Sequence, residues 1–115
     1  MISNTDEMID SRNVIERIVE LEEMTERDDA EDRELYVLKN LAEEGAAYAV
    51  DWEFGEVIIH EDYFEQYARG LAEDLGLIPN ENEWPNYCID WEKAADALLL
   101  DYTQMDFAGQ NYYIR

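Results

Sequence analysis

The 115-residue chain is long enough for one compact domain with its own core and too short for two independent ones. Its 30 Asp and Glu against 8 Lys and Arg give a net charge of -22, which repels phosphate backbones and anionic lipid and excludes direct binding of nucleic acid or a membrane surface. An apolar content of 47% excludes a disordered acidic tail, apolar runs far short of the roughly 20 residues that span a bilayer exclude a membrane span, and the unadorned start MISNTDEMID leads us to expect a cytoplasmic chain.

Ser11 is an N-cap candidate, and Val14, Ile15, Ile18 and Leu21 follow it at helical spacing, predicting a helix over about 11–27. Glu16, Glu20, Glu22 and Glu23 occupy its other face. The acidic run 28–32 interrupts the stripe, which resumes at Leu35, Leu38, Leu41 and Ala42 until Gly45 supplies a stop. The expectation is a helical hairpin over 1–45, with one long bent helix as the alternative.

Tyr48, Val50 and Trp52 alternate with small or charged residues, and Val57-Ile58-Ile59 follows Gly55, so this stretch is expected to supply one or two strands. Phe64, Tyr67, Ala68, Leu71 and Leu75 recover a helical period that Gly76 ends. The segment 77–86 holds both prolines and reads as a loop. Asp90 can then cap a helix whose inner face is Trp91, Ala94, Ala95, Leu98 and Leu99. The tail from Tyr102 onward, rich in strand formers around Ala108-Gly109, predicts a terminal β-hairpin. The fold class is α+β: an acidic helical hairpin over 1–45, then an α+β domain over 46–115 with a short sheet and a C-terminal β-hairpin.

Little in the chain carries covalent chemistry. His60 is the only histidine, and Phe64 stands where a zinc-binding HExxH would need its second. It reads as a partly buried or helix-flanking residue. The five glycines are scattered singly, so there is no phosphate-binding loop. The stretch 80–86 lacks the glycine and the acidic run of a calcium loop. Lone Cys88 excludes an internal disulfide and is expected to pack in the core. With 30 acids, neighbouring pairs such as Glu61/Asp62 and Glu73/Asp74 are expected by chance. No catalytic set, metal or cofactor is therefore expected.

Amphipathic helices expose Glu as a matter of course, but that leaves the shortage of partners unexplained. Beyond residue 39 there are 17 acids and only Arg69, Lys93 and Arg115. Such self-repulsion destabilises a fold. Duplex DNA carries one charge per ~1.7 Å, so this net charge matches about 37 Å of it, while a compact chain of this length has a diameter of about 34 Å. DNA-like charge density follows, although halophilic adaptation also produces acidic, lysine-poor proteins, and Lys39 and Lys93 are the only lysines here.

Two stretches carry a family resemblance: Val57-Ile58-Ile59-His60 leading into Tyr67-Ala68-Arg69, and NYCIDWEKAADAL from Asn86 to Leu98. This half of the chain resembles the C-terminal part of the ArdA antirestriction proteins of plasmids, transposons and phages. The tail DYTQMDFAGQNYYIR and MIDSRNVIERI near the start resemble small phage-borne antirestriction proteins. The resemblance implies a non-enzymatic DNA mimic that occupies the basic DNA groove of a Type I restriction-modification enzyme. The acids of the matched half would stand in for phosphates: Glu61, Asp62, Glu65, Glu73, Asp74, Glu81, Glu83, Asp90, Glu92, Asp96, Asp101 and Asp106. Asp90 is equally a helix cap. The family also implies an elongated homodimer, which would double the charged length to about 74 Å of duplex. Full-length ArdA is longer, with further domains ahead of this part, where the present chain has the acidic hairpin. Two other readings are an anti-CRISPR-type inhibitor and an acidic adaptor docking on a basic protein through the hairpin.

Overall fold

A computed structural model describes residues 2–80 and 82–115. The chain opens with a short strand, β1 (Met8–Asp10), which passes directly into helix α1 (Ser11–Glu23). The cap is Asp10 rather than Ser11: its carboxylate accepts from the Arg12 N–H at 2.9 Å. Ser11 is instead fully buried, and its Oγ accepts from the Glu56 N–H at 2.7 Å. Helix α1 stops short of the expected 27, because residues 24–27 are needed to reverse the chain. There Arg27 donates to the Leu21 carbonyl at 2.9 Å, satisfying the helix end.

Helix α2 (Asp29–Tyr48) starts from a full capping box, in which Asp28 accepts from the Glu31 N–H and Glu31 accepts from the Asp28 N–H. The expected helical hairpin is present. Gly45, however, does not end α2. It lies buried inside the helix because the Trp52 ring packs where its side chain would be, leaving no room for a Cβ. Tyr48 consequently belongs to α2, and residues 50–54 form turns rather than the strand their alternation predicts. The Trp52 Nε1 is the one buried side-chain polar atom among the described residues without a hydrogen-bond partner.

Strand β2 (Val57–His60) is followed by a 3-10 turn (Glu61–Tyr63) and helix α3 (Phe64–Asp74). Helix α3 ends in a Schellman motif: Gly76 at φ +70° donates to the Glu73 carbonyl, and Leu77 donates to that of Ala72. Helix α4 (Trp91–Leu99) and the hairpin of β3 (Thr103–Phe107) and β4 (Gln110–Ile114) complete the chain as expected. Cys88 is exposed, because the loop that carries it runs over the surface.

The antiparallel sheet has the order β1-β2-β4-β3. Side chains alternate across it, and both faces are covered. Ile9, Ile58, Met105, Phe107, Tyr112 and Ile114 point into a core shared with Val14, Leu21, Leu35, Leu38 and Leu41 of α1 and α2. On the opposite face Ile59 and Tyr113 pack with Phe64, Ala68, Ala95, Leu98 and Tyr102. The result is three layers, a helix pair on each side of the sheet.

Two expectations change with this arrangement. The division at 45/46 falls inside α2, and the N-terminal hairpin is one layer of a shared core rather than an extension ahead of it. The shape is also far from the 34 Å sphere. Its extents are 60 × 25 × 19 Å, with a radius of gyration of 17.0 Å, against about 13 Å for a compact chain.

Candidate partner-binding surface

The acidic positions of the matched half are held mainly by the α3–α4 layer. His60 ends β2 and caps the following turn, its Nδ1 accepting from the Asp62 N–H at 3.0 Å. Nε2 therefore carries the hydrogen it donates to Gln110 Oε1 at 3.1 Å. This buried, fully bonded histidine sets the direction in which the chain leaves the sheet, and with it the placement of Glu61 and Glu65. Asp90 caps α4, accepting from the Lys93 N–H at 3.2 Å, and so orients Glu92 and Asp96.

All of the expected phosphate-mimicking acids that are described are solvent-exposed. Glu81 lies outside the described residues. Four of them converge: Glu61, Glu65, Glu92 and Asp96 rim a cleft of about 210 Å3 whose floor is Phe64, Ala95, Leu99 and Tyr113. Two acidic pairs, each four apart in sequence, thus meet around one groove. Within α4 the like charges of Glu92 and Asp96 at that spacing destabilise the helix by about a few tenths of a kcal/mol, and no ion pair to these four carboxylates forms among the described residues. Asn111 donates to Glu61 at 3.1 Å and steadies it. Burial pushes the Tyr113 hydroxyl pKa up, and the nearby Glu61 and Asp96 charges add to the shift.

The other acids are dispersed. Glu73 lies 3.7 Å from Arg69, whose guanidinium also stacks over Trp91. Asp62 lies beside His60, and Asp106 accepts from the Gly109 N–H at 3.4 Å inside the β3–β4 turn. Asp74, Glu83 and Asp101 are exposed away from the cleft. Asp90 is exposed and also committed to its cap.

A second acidic concavity was not legible in the sequence. Asp6, Asp10, Glu16 and Glu20 line a groove of about 550 Å3 along β1 and α1, together with Ile2, Met8, Ile9, Asn13 and Arg17. The spacing of Glu16 and Glu20 on one helix face was its only signal, since the strand at residues 8–10 that forms the other wall is too short to leave a pattern. The groove is partly neutralised: the Arg17 guanidinium is bonded to Glu34 at 2.7 and 3.0 Å and to Glu20 at 3.1 Å, and Arg12 pairs with Asp10 at 2.7 Å, which leaves Asp6 and Glu16 without an ion pair among the described residues. The Arg17 fork holds the Glu34 carboxyl pKa below its ordinary value, by hydrogen bonding first and charge second.

No described helix is long and apolar enough to cross a membrane. Comparison with protein-family models, with curated proteins and with solved structures finds no match to this chain.

Proposed function

We propose that this protein is a DNA mimic that inhibits a host DNA-binding defence enzyme, a Type I restriction-modification complex, by occupying its basic DNA groove. It performs no reaction, and it acts in the cytoplasm of a cell invaded by a phage or mobile element. The observation that carries the reading is the carboxylate set centred on Glu61, Glu65, Glu92 and Asp96, without an ion pair among the described residues, on an elongated body. Spread over 60 Å, a charge of -22 gives one per 2.7 Å (60/22), against one per ~1.7 Å in duplex DNA. The charge per length is below that of DNA and of the same order. An elongated homodimer of the kind the resemblance implies would extend the strip without altering its density.

The physical driving force is the release of the small anions that screen the target's empty groove, so binding weakens steeply with added salt. The test is a restriction assay with a panel of Type I enzymes, in cells and with purified components. Loss of cleavage and salt-sensitive binding are expected. Full-rate cleavage in excess protein, or an affinity flat from low to high salt, would sink the proposal. The same assay with CRISPR nucleases checks the anti-CRISPR alternative. The acidic-adaptor alternative draws support from the groove beside β1, which lies outside the α3–α4 layer. Deleting residues 1–45 cannot separate the two readings, because it removes β1 and uncovers one face of the sheet. Surface charge substitutions can.

A further inference from the structure

Strand β1 is an outer edge of the sheet. Its register with β2 is antiparallel, with Met8 opposite Ile59, Ile9 opposite Ile58 and Asp10 opposite Val57. Backbone bonds run from the His60 N–H to the Glu7 carbonyl and from the Ser11 N–H to the Glu56 carbonyl, each 2.8 Å. In an antiparallel ladder the bonded pairs alternate. Glu7, Ile9 and Ser11 therefore face β2, and the N–H and C=O of Met8 and the N–H of Asp10 point outward. They open onto the 550 Å3 groove whose far wall is the Asn13, Glu16, Arg17 and Glu20 face of α1. Met8 itself is 43% exposed there.

An open sheet edge is a template for another strand, and natural proteins protect it with charge. The carboxylates here outnumber the bases: Asp6 and Glu16 carry no ion pair among the described residues, while Asp10 is paired with Arg12 and Glu20 with Arg17. They oppose pairing with a second copy of this chain, whose β1 would bring the same acids opposite. The same field favours an extended segment that alternates basic and apolar residues. Its backbone would bond to Met8; with its cations on the α1 side, facing Glu16 and Glu20, its apolar side chains would lie beside Met8 on the other side of the sheet.

We infer that β1 accepts a basic, extended segment of a partner protein as a fifth strand, a mode of recognition in which main-chain bonds supply affinity and side chains supply selectivity. This surface is separate from the α3–α4 cleft and does not depend on DNA mimicry. It gives the N-terminal layer a contact that a DNA duplex could not make.

The probe is a short peptide alternating valine and lysine, blocked at both ends. It is compared with a valine–glutamate peptide and with a proline–lysine peptide of equal charge that cannot extend a ladder. Binding to the full chain is followed by titration and by hydrogen exchange at the Met8 amide. The valine–lysine peptide is expected to bind about tenfold more tightly than the proline–lysine peptide and to protect Met8, with no binding of the glutamate peptide. The variant Asn13→Lys/Glu16→Lys, at exposed groove positions, should lose that binding while Glu26→Lys/Glu43→Lys keeps it, both melting cooperatively. Equal binding of the two lysine peptides would reduce the effect to diffuse charge attraction and overturn the inference. So would an unprotected Met8 amide, the result expected if the peptide joined the opposite edge strand β3, or equal losses in the two variants.

Discussion

Residues 1–48 and residues 49–115 each carry 15 acids, against 5 and 3 bases, yet they use them differently. In the α1–α2 layer four of the five cations are drawn into internal contacts: Arg12 with Asp10, Arg17 with Glu20 and Glu34, Arg27 with Asp32, Lys39 with Glu22. Two of its remaining carboxyls, Asp28 and Glu31, are spent on a capping box. In the α3–α4 layer the Arg69–Glu73 contact at 3.7 Å is the one Arg or Lys ion pair between described residues, and the four carboxylates around the cleft form none with a described residue. Composition alone treats the two regions as equals. What separates them is which carboxylates already have an internal partner, and hence which are left for an external one.

The largest expected effect tests that separation directly. Neutralising the cleft with Glu61→Gln, Glu65→Gln, Glu92→Gln and Asp96→Asn should weaken binding to the target enzyme about a hundredfold, at about 0.7 kcal/mol per exposed pair. Thermal stability should be unchanged or raised, since repulsion is removed. The matched set Glu22→Gln, Glu23→Gln, Glu26→Gln and Glu43→Gln removes the same charge from the other layer, and binding should fall by far less. Equal losses would mean that only total charge matters, and the comparison between layers would collapse.

The next effect concerns what joins the layers. Gly45→Ala drives a methyl into the Trp52 ring, and overpacking at this buried point should cost about 2 kcal/mol after the gain in helix propensity. Chemical denaturation measures it, and a neutral result would mean the ring has room to move. Removing the α2 cap with Asp28→Ala should cost about 1 kcal/mol, without changing inhibition in the restriction assay. Activity lost in step with stability would show that the α1–α2 layer takes part in binding.

The smallest effect is pH-dependent. The Glu34 pKa is depressed by Arg17, so the stability it contributes is present above its unfolded value of about 4.3 and is lost as pH falls through the depressed folded value. Glu34→Gln should therefore lower Tm by a few degrees at neutral pH and by progressively less in acid. A constant difference across that range would mean the two layers do not differ in how their carboxylates are held.

Helix and strand types were largely legible in the sequence, because the 3.6-residue period of 14–21, 35–42, 64–75 and 91–99 and the tail hairpin around Ala108-Gly109 are local signals. Asp90 was legible as a cap for the same reason. The misreadings at Gly45, Val50 and Cys88 share one cause: each depends on a contact or on exposure that no local pattern encodes. Gly45 looks like a stop until Trp52 arrives from the following turns to occupy the space of its side chain.

The sequence by itself determined the sign and scale of the charge and most of the element types, because these depend on composition and short-range periodicity. Only the tertiary structure decided that β1 closes onto β2 across some fifty residues, that the hairpin is a core layer, and that Glu61 and Glu65 meet Glu92 and Asp96 around one cleft. Those facts rest on pairings between distant segments. Their free energy comes from burying two apolar faces of one sheet, and no single segment carries the information for that.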